Sequence, residues 1–419
     1  MSSLSKPRET ALKTLYLCDK EGAYLNIALR EILTESRMEP RDNALATNLA
    51  MGVMKNRLFL DNIICNLSSV KMKKLSVWIL NILRIGIFEL RFLDKIPSSA
   101  TVNECVRLAR RYGHNASGGF VNAVLRKAIS AGDFLPKDTS SDEYISTKYS
   151  MPLWLVEFWK NQGHTEELFR AMNETPPVTV RLNTLKCSSL GEGFEKTSDS
   201  EFSYRYTGGG SVENTAIFKD GGVAVQDGAS QRAIAAFSPQ KNSKVLDLCS
   251  APGGKSAFLA QLMENTGKIV SCDIHSHKLE LIEKNFSRLG VANARVCLND
   301  ATVLNADFVD FFDAVLADVP CSGLGVIRRK SDIKWTKSPE GVNDLVKLQR
   351  DIISAAVKYV KPGGKLMYST CTINKHENEE NAIWLTETFP QFTLKEQKQL
   401  LPHTDGTDGF FYAVYERKI

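Results

Sequence analysis

Apolar residues in the first 130 positions recur every three to four places. Ala11, Leu12, Leu15 and Tyr16 make one stripe; Leu45, Leu49, Met51 and Met54 make another; Val102, Val106 and Ala109 a third. That period predicts amphipathic helices. Alternating strand patterns are scarce there, so residues 1–130 are expected to form an all-α bundle. The longest apolar stretch, 77–92, is broken by Arg84, Glu89 and Arg91. It is too short and too charged to span a bilayer and predicts a buried helix. Residues 131–150 are polar, with Gly132, Pro136, Asp138 and Ser140-Ser141-Asp142, and read as a linker. Two short helices over 153–174 are closed by Pro176-Pro177, and a β-rich stretch follows with its clearest strand at 178–183. Gly208-Gly209-Gly210 marks a loop, and 225–230 leads into a helix. Residues 151–240 are therefore expected as a small α+β subdomain.

From residue 241 the pattern changes to strand–helix alternation, the mark of a doubly wound α/β sheet. Strands are predicted at 244–249, 269–273, 295–298, 314–319 and 365–370, with helices at 255–263, 277–289 and 344–360. A Pro362-Gly363-Gly364 turn precedes the last of these strands, and 410–415 reads as the closing strand of a hairpin. No internal repeat is visible. The domain plan is thus 1–130, a linker at 131–150, 151–240 and 241–419.

In such a sheet, ligands bind beyond the carboxyl ends of the strands. Those ends carry the chemically active residues. Cys321 closes Asp318-Val319-Pro320-Cys321, and Cys371 closes Tyr368-Ser369-Thr370-Cys371. Both thiols are expected to face one crevice, which suggests a thiolate attacking something bound beside a cofactor. Upstream, Cys249-Ser250-Ala251-Pro252-Gly253-Gly254-Lys255 is a Gly-rich turn between strand and helix. Its glycines let a backbone approach a ligand, and a helix N-terminus offers N–H groups. Gly254-Lys255-Ser256 imitates the end of a phosphate loop, but that motif's first glycine would fall at Cys249, and no Gly-x-Gly-x-x-Gly is present. Asp273 and Asp300 end the second and third strands. An acid after the second strand suits two ribose hydroxyls, and Asp300 could accept from an adenine amino group or support a loop; the alternative is that both simply cap the helices that follow. A nucleoside cofactor without a pyrophosphate fits this wall better than NAD, and S-adenosyl-L-methionine is the natural candidate.

Composition narrows the class. Hydrophobic content of 43% and charged content of 24% are ordinary for a soluble globular chain. The start, Met1-Ser2-Ser3-Leu4-Ser5-Lys6, has no apolar core before a cleavage site, so no signal peptide is expected. Nine cysteines, an odd number without a Cys-x-x-Cys pair, argue against a disulfide framework or a zinc site and for a reducing cytoplasm. The six histidines lack metal spacing, and His275 and His277 diverge near Cys272, so no metal is expected. The net charge of +5 hides an asymmetry: residues 1–130 hold 20 Lys+Arg against 11 Asp+Glu, whereas the remainder is slightly acidic. That suggests a polyanion-binding module on an enzyme body, although a solvated basic helical surface gives the same count. Arg107, Arg110 and Arg111, followed by Arg126 and Lys127, are the candidate phosphate contacts. Nothing demands more than a monomer.

The runs Asp247 to Ser256, Asp318 to Gly323 and Tyr368 to Thr372 together resemble the RNA cytosine-5 methyltransferases. The basic N-terminal part is similar to a NusB-like RNA-binding domain, notably Arg41-Asp42-Asn43-Ala44-Leu45-Ala46 and Asn56 to Asp61. That order of modules resembles the members acting on 16S ribosomal RNA. The resemblance implies a Rossmann-like class I methyltransferase domain using S-adenosyl-L-methionine. It implies a cofactor loop of Cys249, Ser250, Ala251, Pro252, Gly253, Gly254 and Lys255, ribose contacts from Asp273, an adenine-side contact from Asp300, and Asp318 at the cofactor–base junction. It further implies Cys371 as nucleophile toward cytosine C6, Cys321 as the thiol that assists release, and Asp318 as a group acting at the base N3, with Lys255 a helper of the thiolate. Two departures stand out: Val319 where alanine is usual, adding two methyls beside the site, and Ser331 where proline is expected, loosening a loop. A transfer RNA methyltransferase shares the catalytic motifs. A non-catalytic NusB-like RNA-binding factor is the rival of another class, against which the intact cysteine pair and acidic strand ends argue.

Overall fold

The computed structural model describes residues 5–419; of the opening hexapeptide, Met1 to Leu4 lie outside the described residues. The chain divides into two compact units. One comprises Met1–Glu174 with Ile327–Thr336, the other Thr175–Val326 with Lys337–Ile419.

The first unit is helical, as its periodicity predicts. Helices Lys6–Glu21, Leu25–Ser36, Pro40–Lys55, Arg57–Leu67, Val77–Phe92, Ser98–Tyr112 and Ser117–Ser130 follow one another. Pro7 and Pro40 sit in the first turns of their helices, where a missing N–H costs nothing. The stripes meet in one core that includes Leu12, Leu15, Leu49, Ile82, Ile85 and Leu125. Helix Val77–Phe92 runs through its centre. A Cβ on Gly52 would lie 2.0 Å from the Phe88 ring, so Pro40–Lys55 needs glycine there to approach it. Two of the charges that interrupt this helix, Arg84 and Glu89, are buried and paired. Arg84 meets Asp61 at 2.7 Å and Asp19 at 2.9 Å, and Glu89 receives Arg8 at 2.7 Å and the Thr101 hydroxyl at 2.7 Å.

The polar stretch 131–150 contains a helix, Asp142–Tyr149. Its Ser-Ser-Asp run is an N-cap: the Ser141 hydroxyl accepts from Tyr144 N, and Asp142 and Glu143 occupy the first turn. This helix buries Ile145 and Tyr149, and Ser150 accepts from Leu58 N at 2.8 Å. Helices Leu153–Asn161 and Glu166–Met172 belong to the same unit. So does the late segment Ile327–Thr336. Lys334, almost wholly buried, donates to Lys55 O and Ser150 O, each at 2.7 Å, and Trp335 Nε1 donates to Met54 O at 3.0 Å.

The second unit holds two sheets. Strands β1 (Thr179–Leu182), β2 (Phe194–Lys196), β3 (Ser203–Tyr206) and β4 (Val223–Val225) form an antiparallel sheet in the order β2-β3-β1-β4. Strands β5 (Lys244–Asp247), β6 (Lys268–Asp273), β7 (Ala294–Leu298), β8 (Phe312–Asp318), β9 (Val360–Thr370), β10 (Phe392–Leu400) and β11 (Phe410–Arg417) form the mixed sheet in the order β10-β11-β9-β8-β5-β6-β7. From β9 to β7 all neighbours are parallel, and β11 runs antiparallel to β9 and β10. This is the mixed doubly wound sheet that the alternation predicts. Its order reverses between β5 and β8, which puts the ligand crevice at their carboxyl ends. Two elements are longer than the sequence pattern indicates. Pro362-Gly363-Gly364 lies within β9, because the register with β8 shifts between Phe312 and Ala314 and absorbs the extra residues as a bulge. Helix Pro339–Tyr359 starts early because Ser338 caps it and Pro339 opens its first turn.

Glu89→Ala would leave the Arg8 guanidinium buried without its partner. Urea denaturation of this variant should show a loss of about 3–5 kcal/mol from the helical unit.

Candidate functional site

After β5 the chain turns sharply. Ser250 N and Oγ both donate to Cys272 O, at 2.8 and 3.1 Å, and Gly253 N returns to Ser250 O at 2.6 Å. Gly253 has φ +94°, and a Cβ there would lie 3.1 Å from Ile282 and 3.2 Å from Phe286. Glycine is required on both counts. At Gly254, the first residue of helix Gly254–Leu262, a Cβ would meet nothing within 4 Å. The helix N-terminus is therefore open to a ligand. Behind the loop, Asp247 is fully buried and accepts from the Ser256 hydroxyl at 2.6 Å. Burial pushes its carboxyl up to about 7 against that hydrogen bond. Burial also pushes the Cys249 thiol up, reinforced by Asp247, Asp318 and Asp273, so this sulfur stays protonated and packs against the core.

The acids at the ends of β6 and β7 each make local turns. Asp273 Oδ1 accepts from His275 N at 3.0 Å. Asp300 Oδ1 accepts from Thr302 N at 2.9 Å and the Thr302 hydroxyl at 2.7 Å, and these bonds hold its carboxyl below the usual range. Neither caps the helix that follows; each closes a local turn instead, in both cases through Oδ1. Among the described residues no three His, Cys, Asp or Glu side chains converge as a metal site, and no helix is long and apolar enough to cross a membrane.

Facing the loop, Lys255 Nζ meets Asp318 Oδ2 at 2.6 Å, while Asp318 Oδ1 accepts from the Ser369 hydroxyl at 2.9 Å. Burial lowers the lysine's proton affinity, but Asp318 outweighs it, with smaller help from Cys371 and Asp247, and Lys255 stays charged. The same crevice holds the two cysteines. Cys321 Sγ and Cys371 Sγ lie 3.3 Å apart, both half-buried and neither in a disulfide. The hydrogen bond with Cys371, together with burial and nearby negative charge, raises the Cys321 thiol well above its ordinary range.

What holds the two cysteine loops together is a residue the sequence reading passed over. Glu377 is fully buried, and its carboxylate accepts from Ser322 N at 2.8 Å, the Ser322 hydroxyl, Gln349 Nε2 at 2.9 Å and Asn374 Nδ2 at 2.9 Å. Ser322 also meets the Thr372 hydroxyl at 2.7 Å, and Gln349 Nε2 reaches Pro320 O at 3.0 Å. The available signal was position: a polar run ending in an acid, just beyond the carboxyl end of a buried strand. Val319, the larger residue at a position where alanine is usual, is buried in the core beside the site, and Ser331 is buried in the strap of the helical unit.

The basic residues lie on consecutive helices, Ser98–Tyr112 and Ser117–Ser130. Arg107 pairs with Glu104 at 2.6 Å and Arg111 with Glu9 at 3.6 Å. Arg126 Nε donates to Asn122 at 3.1 Å, and Arg110, Arg111, Arg126 and Lys127 are exposed.

The family model for 16S rRNA methyltransferase RsmB/F matches residues 234–416, and that for the NusB family matches residues 5–130. The Bacillus subtilis protein named "Probable ribosomal RNA small subunit methyltransferase B" is 33% identical over 98% of both chains. The ribosomal RNA small subunit methyltransferase B of Shewanella oneidensis is 31% identical over 97% of this chain and 98% of its own length. The crystal structure of PH0851 superposes over all of both chains, with a TM-score of 0.83 at 27% identity.

The two adjacent glycines should respond oppositely to alanine. Gly253→Ala should cost about 1–2 kcal/mol in urea denaturation from its left-handed backbone alone. Gly254→Ala, pointing into open space at a helix start, should leave stability unchanged or raise it by up to about 1 kcal/mol.

Proposed function

The chain belongs to the family of the 16S rRNA methyltransferases RsmB/F, and we propose that it methylates C5 of a cytosine in 16S ribosomal RNA through a transient bond between Cys371 and C6. The observation that carries this reading is the apposition of two thiols at 3.3 Å beside the Lys255–Asp318 pair, at the ends of adjacent parallel strands.

The loop 249–255 fits S-adenosyl-L-methionine: Gly254 is unobstructed, and Asp273 and Asp300 each use Oδ1 for the local turn, leaving Oδ2 for ribose and adenine-side contacts. When bound, S-adenosyl-L-methionine supplies the electrophilic methyl carbon that an activated C5 takes up. Activation falls to this chain's own residues. A free cysteine, with a pKa of about 8.5, is only a few per cent thiolate at neutral pH. Lys255 is charged and feels Cys371, so it favours the thiolate there, while Cys321 keeps its proton. As the Cys371 lone pair forms the S–C6 bond, the C5=C6 pair moves into the ring toward C4 and N3. The Lys255–Asp318 pair supplies hydrogen bonding at N3. Once C5 carries both its proton and the methyl, Cys321 releases its own proton to solvent, the resulting thiolate takes the C5 proton, the C5=C6 bond reforms and Cys371 leaves as thiolate. The target base must be out of its stack to reach these groups. Arg107, Arg110, Arg111, Arg126 and Lys127 supply phosphate contacts that position the RNA without reading it. Nine unbridged thiols favour a reducing cytoplasm.

Bisulfite sequencing of 16S ribosomal RNA after incubation with the protein and S-adenosyl-L-methionine should show a new 5-methylcytosine. Cys371→Ala should abolish that mark while RNA binding persists; wild-type levels would overturn the nucleophile assignment. Cys321→Ala should instead accumulate a protein–RNA adduct that survives denaturing electrophoresis. Gly254→Ala should bind S-adenosyl-L-methionine about tenfold more weakly by calorimetry, because its methyl occupies the space a ligand would take at the helix start.

A further inference from the structure

Two sulfurs share one crevice, and a thiolate on either could add to a pyrimidine. Something must fix their separation and decide which one is free of its proton. The fold connects the two loops through one buried acid. Glu377 follows β9 by seven residues, on the same loop as Cys371, yet two of its four hydrogen bonds come from Ser322, the residue after Cys321. A third comes from Gln349, which also grips Pro320 O, the residue before Cys321. The Cys321 loop is therefore held on both sides by the carboxylate that belongs to the Cys371 loop. On that loop, Asn374 completes the set, and Tyr368 OH donates to the Glu377 carbonyl, anchoring the acid to the strand beneath. An arrangement of four donors on a carboxylate with no exposed surface is a rigid one, since each lost bond to a charged acceptor leaves a buried polar group unsatisfied.

We propose that Glu377 is a positioning residue that helps to set the Cys321–Cys371 separation and places a buried negative charge beside Cys321, so that Cys371 is the sulfur that bonds to the base. The inference rests on the covalent reading above and deepens it. Geometry carries the first half: Ser322 meets the 371–377 loop through two hydrogen bonds to Glu377 and one to the Thr372 hydroxyl, so Glu377 supplies most of what fixes that side of the Cys321 loop. Charge carries the second. The groups acting on the Cys321 thiol are Cys371, Glu377 and Asp318, all of which favour its protonated form, whereas the charge of Lys255 is coupled to Cys371. The proton stays on Cys321, and the lone pair of Cys371 forms the S–C6 bond. Glu377 itself touches neither substrate nor cofactor in this scheme.

Iodoacetamide alkylation of the RNA-free full chain, followed by peptide mass spectrometry across pH 6 to 9, reads the two thiols separately. In the wild type Cys371 should react about tenfold faster than Cys321 near neutral pH. In Glu377→Gln, which keeps the volume but loses the charge and turns one acceptor into a donor, the Cys321 profile should move to lower pH and the preference should fall about fivefold. Turnover should fall with KM for RNA unchanged. Ser322→Ala, a milder change that removes one of the bonds, should move the same quantities less, and it stands in if Glu377→Gln does not fold. Unchanged alkylation order and profile in the folded variants would overturn the proposal. Absence of any covalent adduct between wild type and RNA carrying 5-fluorocytosine would overturn the covalent reading instead, whatever the alkylation shows.

Discussion

The register between β8 and β9 underlies the whole site. Asp318 stands opposite Ser369 in this parallel pair, so the chain reaches Cys321 three residues beyond one partner and Cys371 two beyond the other. A slip of one residue would send every side chain of a strand to the opposite face. The register is held redundantly. Leu316 and Met367 pack on one face of the sheet, Val315 and Leu366 on the other. Beyond the paired residues, Val319 N donates to Ser369 O at 3.1 Å, and Gly325 N donates to Cys371 O at 3.1 Å. A Cβ on Gly325 would lie 2.0 Å from Gly409 O, so the loop after Cys321 closes against the hairpin only because that residue has no side chain. Burying both faces and then pinning both loops brings the ends of β8 and β9 side by side, and the Glu377 clamp beyond them holds the thiols at 3.3 Å.

Much of this was legible in the chain because parallel strands announce themselves. They are short apolar runs, and the polar residues that follow them sit at the functional end. The two cysteines, the Gly-rich turn and the acids after β6 and β7 all fall where that logic puts them. The misplaced boundaries have local causes. Ser-Ser-Asp at 140–142 is as good a cap as a linker, and only the burial of Ile145 and Tyr149 decides for a helix. Pro-Gly-Gly at 362–364 is turn chemistry, but a bulge in the pairing with β8 keeps it within a strand. Glu377 was invisible for a different reason. Acids in polar loops are usually solvated, and this one is buried because donors from three separate places, 322, 349 and 374, converge on it. No spacing rule in one dimension expresses that convergence.

The strap 327–336 shows the same limit in the helical unit. Its Lys334 is buried, and burial, with Lys55 nearby, drives its proton affinity well below that of an ordinary lysine. Two backbone carbonyls accept from the amine, which offsets the cost of burying the polar group in its neutral form. Sequence shows a lysine between apolar neighbours and a tryptophan; only the helix ends at Lys55 and Ser150 make it a fitted plug.

In the proposed reaction the thiol pair would also order the chemical steps. Before reaction, the largest cause of the weak acidity of Cys321 is its hydrogen bond with Cys371. A thiolate at Cys371 accepts that bond, so Cys321 is least able to act as a base when it must not compete for the pyrimidine. When Cys371 becomes bonded to carbon, its sulfur loses its charge and most of its power to accept. The leading restraint on Cys321 then disappears, although burial, Glu377 and Asp318 remain. Cys321 becomes more acidic, and so more available as a thiolate base, at the stage when the C5 proton has to be removed. Different surroundings separate the two groups at the start, and the first bond made by one then changes the proton affinity of the other.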